Sequence, residues 1–119
     1  MVWQTSWGFS TRSIGTMIMV HSDNMGLVLP PFVAHTQFVI IPIIDKNVDE
    51  AEMNGKAHEL AAQLKKAGLR VFVDDSNKNP GYKYSHWELK GTPVRLELGK
   101  KDIAKEEVKV CIRLNGEKF

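Results

Sequence analysis

Apolar and polar positions divide the chain near residue 35, with an aromatic-rich lead before it and alternating runs and stripes after it. From Gln37, Phe38-Val39-Ile40-Ile41-Pro42-Ile43-Ile44 is a continuous apolar run rich in β-branched residues, the pattern of a strand covered on both faces. Asn47 or Asp49 then opens a helix with acids in its first turn, where they complement the helix dipole. Met53, Ala57, Leu60, Ala61 and Leu64 fall on one stripe of that helix, and Gly68 is a natural stop. Leu69–Val73 predicts a second strand ending in Asp74-Asp75. Strand, helix and strand with short connections form a βαβ unit, which crosses over right-handed into a parallel pair.

Asn79-Pro80-Gly81 begins a short helix, with proline early, where its missing N–H does no harm. Tyr84 and Trp87 lie one turn apart on it, and Lys90-Gly91 ends it. Pro93–Leu98 predicts a third strand, Lys101–Glu107 one or two helical turns, and Val108–Leu114 a fourth strand. On that last strand Val108, Val110, Ile112 and Leu114 face one way, and Lys109, Cys111 and Arg113 the other. The order β-α-β-α-β-(α)-β is an α/β sheet with helices on its faces. Ahead of it, Val2–Phe9 reads as a strand. Ser10 or Thr11 caps a helix carrying Ile14, Met17, Ile18 and His21 on one face. Asp23-Asn24-Met25-Gly26 is a turn signal, and Pro30-Pro31 stiffens an extended connector. The expected division is an appendage, residues 1–34, and a domain proper, residues 35–119.

Composition narrows the function classes. With 119 residues, 43% hydrophobic and 25% charged, the chain supports one core. A single cysteine excludes an internal disulfide scaffold. No apolar run approaches the ~18 residues of a membrane span, and the first residues lack the pattern of a secretory signal. A cytoplasmic protein with no membrane partner is expected. The net charge of +2 is unevenly placed, because residues 78–119 hold ten bases against six acids. That suits a localised contact with a polyanion.

Several chemistries are not encoded. His21, His35, His58 and His86 lie far apart beside one cysteine, so no metal-ligand spacing exists and no metal is expected. Neither a P-loop nor a dinucleotide fingerprint is present. Cys111 reads as a packed or half-exposed thiol. Asp74-Asp75 reads as a solvated loop-end pair, since adjacent strand residues point to opposite faces.

Two motifs carry more. Thr5-Ser6-Trp7-Gly8-Phe9-Ser10-Thr11-Arg12-Ser13-Ile14-Gly15, continuing to His21-Ser22-Asp23 and Gly26-Leu27-Val28-Leu29-Pro30-Pro31, resembles motif 3 of class II aminoacyl-tRNA synthetases. The version is that of prolyl-tRNA synthetases of the eukaryotic and archaeal kind. Pro80-Gly81-Tyr82-Lys83-Tyr84, then Trp87-Glu88-Leu89-Lys90-Gly91-Thr92-Pro93-Val94-Arg95-Leu96-Glu97-Leu98-Gly99, is similar to the anticodon-binding signature of the same family. The resemblance implies the class II anticodon-binding fold, a mixed sheet with helices on both faces, preceded by a strand-helix appendage from a catalytic core. It implies a part of a proline-tRNA ligase, with ATP and Mg2+ in the parent reaction. The implied partners are the anticodon stem-loop of tRNA(Pro) and the remainder of a homodimeric core.

By that resemblance Arg12 and Thr11 engage ATP, and Ser6, Trp7 and Gly8 wall the proline and adenylate pocket. Glu88, Arg95, Lys101 and Asp102 read the anticodon, with Lys83 and Lys90 as weaker phosphate contacts. The chemistry is coherent, since a carboxylate accepts the N1–H and N2–H of guanine together and an arginine fork matches O6 and N7. Departures from the family pattern are Ser22, where glycine is usual, and Lys100, where proline is usual. Motifs 1 and 2 do not occur in the chain, so it is expected to be a fragment that does not aminoacylate alone. Two other readings are a non-catalytic tRNA-binding accessory module of this fold and a non-functional truncated product. The uncovered stripe of Ile14, Met17 and Ile18 is the cue for the latter.

Overall fold

In the computed structural model, which describes residues 1–44, 49–105 and 107–119 but not the side chain of Lys101, the first element is a helix, α1 (Arg12–Val20). The strand expected at Val2–Phe9 does not form. Those residues are exposed and pair with no strand among the described residues. An isolated strand leaves its row of N–H and C=O groups to water, so aromatic content alone cannot hold it. α1 buries none of its residues, and Ile14, Met17 and Ile18 stay exposed as the pattern implied.

Ser22–Asp23 and Gly26–Leu27 are the antiparallel strands β1 and β2 of a small hairpin. Asp23 turns the chain by accepting hydrogen bonds from the Met25 and Gly26 amides. Ser22 is a strand residue paired with Leu27, so the strain that a left-handed conformation would impose on serine does not arise. The connector after Pro30-Pro31 is not extended as expected. Val33 and Ala34 both donate to the Pro30 carbonyl, closing a turn. Proline suits that turn as well as it suits an extended chain. Arg70 decides between them by donating to the carbonyls of Ala34, Pro31 and Phe32.

The main sheet contains β3 (Phe38–Pro42), β4 (Val71–Val73), β5 (Val94–Leu98) and β6 (Lys109–Ile112) in the order β4-β3-β5-β6. β3 pairs in parallel with both β4 and β5, and β6 closes the edge antiparallel to β5. The sheet is therefore mixed. Val39, Ile40 and Ile41 are fully buried because β3 is central and covered on both sides. Beyond β6 the chain does not continue to Leu114 as a strand. It turns at Gly116, so that the Ile112 amide donates to the Glu117 carbonyl and Val110 and Phe119 exchange a pair of backbone hydrogen bonds.

Helices lie on both faces. α2 (Glu50–Lys66) starts at Asp49, whose carboxylate caps the Ala51 amide, while Asn47 lies outside the described residues. Its stripe of Met53, Ala57 and Ala61 is buried, with Leu60 and Leu64 packed partly against Ile40, Val71, Val73, Leu96 and Leu98. α4 (Lys100–Ala104) adds Ile103 to that side. On the opposite face α3 (Pro80–Leu89) sets Trp87 and Tyr84 against Val39 and Ile41. This second face is apolar only under α3. Over β5 and β6 it carries Arg95, Glu97 and Cys111.

Candidate nucleic-acid interface

The site begins with the ends of α3. Asn79 caps the Gly81 amide and Pro80 occupies the first helical position, which starts the helix as the sequence implies. At the other end Gly91, at φ +73°, reverses the chain, and the Gly91 and Thr92 amides bond back to the Glu88 and Trp87 carbonyls. The last turn therefore presents Glu88 above the start of β5, where Arg95 projects to the same face.

These two side chains meet. Arg95 Nη1 donates to Glu88 Oε1 at 2.6 Å, and its Nε donates to Glu97 Oε1 at 3.1 Å. Nη2 lies 3.5 Å from Cys111 Sγ, and the guanidinium sits 4.3 Å from the centroid of the Tyr84 ring. Arg95 is 7% exposed and Glu97 6%. Burial alone would lower the Arg95 pKa, but Glu88, Cys111 and Glu97 outweigh it and the pKa is raised. Burial, and then the Glu97 charge, push the Tyr84 phenol up against the opposing pull of Arg95. The crevice between Glu88, Arg95, Cys111 and Arg113 holds only about 30 Å³, the volume of one water and far less than a base. Arg95 is thus a fixed internal cation beneath Glu88. Glu88 itself keeps 30% of its side chain in solvent. Its Oε2 has no hydrogen-bond partner among the described residues. An ionised carboxylate with one oxygen anchored retains lone pairs on both oxygens for two further donors.

A second arginine, which the sequence reading did not single out, braces the same turn. Arg113 Nε donates to the Glu88 carbonyl at 3.2 Å. Its two terminal nitrogens form a fork on Asp23 at 2.7 and 2.6 Å, with a further bond to the Gly26 carbonyl. Arg113 is buried, and its pKa is raised first by the Asp23 hydrogen bond, against burial. Hydrogen bonds from Arg113, followed by the Met25 amide, hold the Asp23 carboxyl far below the usual carboxylate range. Close packing seals the junction. A Cβ at Gly26 would lie 2.5 Å from Leu89 Cα, and one at Gly91 would lie 2.6 Å from Leu27 Cβ. Ninety residues separate Asp23 from Arg113, so only an Asx-turn signal and an alternation pattern pointed to either residue.

The other expected residues are dispersed. Asp102 sits beyond the far end of β5, where its Oδ2 accepts from the Gly99 amide at 3.0 Å and caps α4. From Arg95 to Gly99 the strand rises roughly 13 Å, so Asp102 does not join the Glu88 cluster. The Lys101 side chain lies outside the described residues. Lys83, expected at phosphate, is 2% exposed instead, and its Nζ donates to the Asp74 carbonyl at 2.8 Å. It falls four residues before Trp87, and therefore on the same inward face of α3.

Asp74 is no solvated loop residue either. It accepts from Trp87 Nε1 at 2.7 Å and Ser76 Oγ at 2.6 Å. Burial would raise its pKa, yet these bonds and Lys83 lower it. Asp75 does face solvent, 3.3 Å from His58 Nε2. Cys111 is buried. Lys90 is exposed, its amine 4.8 Å from the Trp87 ring centroid. Ser6, Trp7, Gly8, Thr11 and Arg12 are all exposed.

Comparison with known proteins accords with this architecture. A family model described as "Anticodon binding domain" matches residues 37–119. The proline–tRNA ligase of Chlorobium phaeovibrioides is 54% identical over 112 residues, covering 93% of this chain and 22% of that protein. The cytoplasmic proline–tRNA ligase of Arabidopsis thaliana is 46% identical over 119 residues, covering 99% of this chain and 22% of that protein. The crystal structure of the Cryptosporidium parvum prolyl-tRNA synthetase, complexed with L-proline and AMP, superposes with a TM-score of 0.84 at 54% identity. That match covers 92% of this chain and 24% of the other. The chain thus spans about a quarter of the length of these relatives. No helix among the described residues is long and apolar enough to cross a membrane. With the βαβ core, the closing antiparallel strand and the α3–β5 turn all present, the chain belongs to the anticodon-binding-domain family and is similar along nearly all its length to prolyl-tRNA synthetases.

Proposed function

We propose that this chain is the RNA-reading portion of a proline–tRNA ligase and that Glu88 reads guanine in the exposed anticodon loop. The observation that carries this is the 2.6 Å bond from buried Arg95 to Glu88. It fixes one carboxylate oxygen in place before any RNA arrives and leaves the carboxylate facing solvent. Unpaired loop bases offer their Watson–Crick edges, and guanine alone presents two adjacent donors to a carboxylate. In this reading Arg95 positions Glu88 and does not itself touch the base. Asp102, with Lys101 beside it, faces a second nucleotide near the other end of β5, and Lys90 meets a phosphate.

In the same proposal residues 1–34 are the end of a catalytic core and residues 35–119 the anticodon-binding domain. Arg12 and Thr11, at the start of α1, offer a guanidinium and a hydroxyl to ATP, a substrate of the whole ligase. Ser6, Trp7 and Gly8 border its proline and adenylate. Activation of proline, transfer to tRNA and homodimer formation belong to the whole ligase in the cytoplasm. This segment supplies recognition. The test is fluorescence anisotropy with RNA stem-loops whose loops carry either two guanines or two adenines. The wild-type chain should prefer the guanine loop by roughly 10- to 100-fold, the size of one good bidentate contact. Glu88→Ala should bind both loops alike at the level of the weaker one. A variant that keeps the full preference would refute the role of Glu88.

A further inference from the structure

On the other side of α3 from Arg95 lies a groove of about 610 Å³, within the range of ligand pockets, that the Glu88 reading leaves unused. One wall is aromatic. Tyr82 and His86 stand nearly parallel, 5.9 Å apart with 13° between their planes, and Phe72 lies 5.1 Å from Trp87. The opposite wall is the connector, with Leu29, Ala34 and His35, held by the clamp of Arg70 on the Pro31, Phe32 and Ala34 carbonyls. Two amines sit at the groove. Lys78 Nζ lies 4.3 Å from the Tyr82 centroid, and Lys90 Nζ lies 4.8 Å from that of Trp87. Asp74 lines the groove as well, but its carboxylate is occupied by Ser76 and Trp87 Nε1.

We infer that this groove stacks one further unpaired nucleobase of the same RNA, with the adjoining phosphates on Lys78 and Lys90. The inference rests on the reading of Glu88 as an RNA contact, since it names a second contact for that partner. Aromatic faces with cations beside them take any base by its π-face and the backbone by its charge, independent of sequence. Position favours the same strand. Trp87 and Thr92 line both this groove and the crevice beneath Glu88, so the two sites flank one helical turn, roughly 10 Å across. Tyr82 is 52% exposed and Phe72 48%, so solvent reaches both rings, and a base stacking on Tyr82 displaces the Lys78 amine from over that ring toward the adjoining phosphate.

An abasic nucleotide walked through the loop of a two-guanine stem-loop tests this by anisotropy on the full chain. One position other than the guanines should lose roughly 5- to 100-fold in affinity when its base is removed. Tyr82→Ala should weaken binding of the intact loop by a similar factor and erase that position's penalty while keeping the preference for guanine. A thermal melt confirms that this exposed-site variant is folded. Lys78→Gln with Lys90→Gln should flatten the salt dependence by about one counterion per lost phosphate contact. If Tyr82→Ala and Phe72→Ala both leave every abasic penalty unchanged, the groove does not hold RNA, and a peptide or small aromatic ligand becomes the better occupant. Glu88→Ala separates the two sites. Its failure to alter guanine preference sinks the reading at Glu88, whereas an abasic penalty that survives in Glu88→Ala and vanishes in Tyr82→Ala still supports the groove.

Discussion

Arg95→Met should cost the domain roughly 3–5 kcal/mol in chemical denaturation, the range for removing one partner of a buried ion pair. The reason is Glu97 more than Glu88. Glu97 is 6% exposed and receives the Arg95 Nε hydrogen bond, so a neutral residue at 95 strands a carboxylate inside the sheet face. Glu88 can turn to water and loses less. Pairing the change with Glu97→Gln should restore a large part of the stability, because the stranded charge is gone. The double variant should still lack the preference for guanine, since nothing then anchors the Glu88 carboxylate. Arg95→Lys should fall between, for an ammonium cannot reproduce a planar fork that serves Glu88, Glu97 and Cys111 together while lying over Tyr84. If the double variant recovers both stability and selectivity, Arg95 is only a core residue.

The second large effect is expected where the hairpin meets α3. Gly26→Ala and Gly91→Ala each put a Cβ at a position with φ above zero, at +132° and +73°. Conformational strain alone is about 1–3 kcal/mol at such sites. Contact adds to it, because the new carbon at residue 26 lies 2.5 Å from Leu89 Cα, and that at residue 91 lies 2.8 Å from the Leu27 carbonyl carbon. Backbone atoms cannot rotate aside, so the hairpin must lift from the helix, taking the Asp23–Arg113 fork with it. Hydrogen exchange should accelerate at the Val28 and Leu29 amides, which bond to His21 and across the junction to Gly91. Gly55→Ala is the contrast, as that position is in mid-helix with open space around it and should gain about 0.5–1 kcal/mol. Equal responses at residues 26 and 55 would show that the hairpin junction is not tightly packed.

The domain from β3 to β5 was legible because each element has its own period. The unbroken run at Phe38–Ile44, the stripe from Met53 to Leu64 and the alternation after Pro93 admit few other readings. The meeting of Glu88 with Arg95 was legible in the residues, which place a carboxylate at a helix end beside a guanidinium on the next strand, while its use on a base came only through the resemblance. What escaped depends on contacts across the chain. Val2–Phe9 has the composition of a strand but pairs with no strand among the described residues. Lys83 and Asp74 look like surface charges until helix geometry aims Lys83 inward beside Trp87 and sets Asp74 at the strand end beneath both. Arg113 alternates on its strand like any outward cation, and only the folded hairpin supplies Asp23. The burial of Arg95 was also invisible. The resemblance implied contact with a base, while Glu97 and Tyr84 enclose the guanidinium from below.

The most direct test of Glu88 as a guanine reader replaces each loop guanine in turn with inosine, which keeps N1–H and O6 but lacks the N2 amine. A hydrogen bond to a charged group contributes about 1.5–3 kcal/mol, so at one position the wild-type chain should lose at least about tenfold in affinity. Glu88→Ala should bind the guanine and inosine loops equally. Equal binding of both by the wild type, or undiminished discrimination in Glu88→Ala, would contradict the assignment.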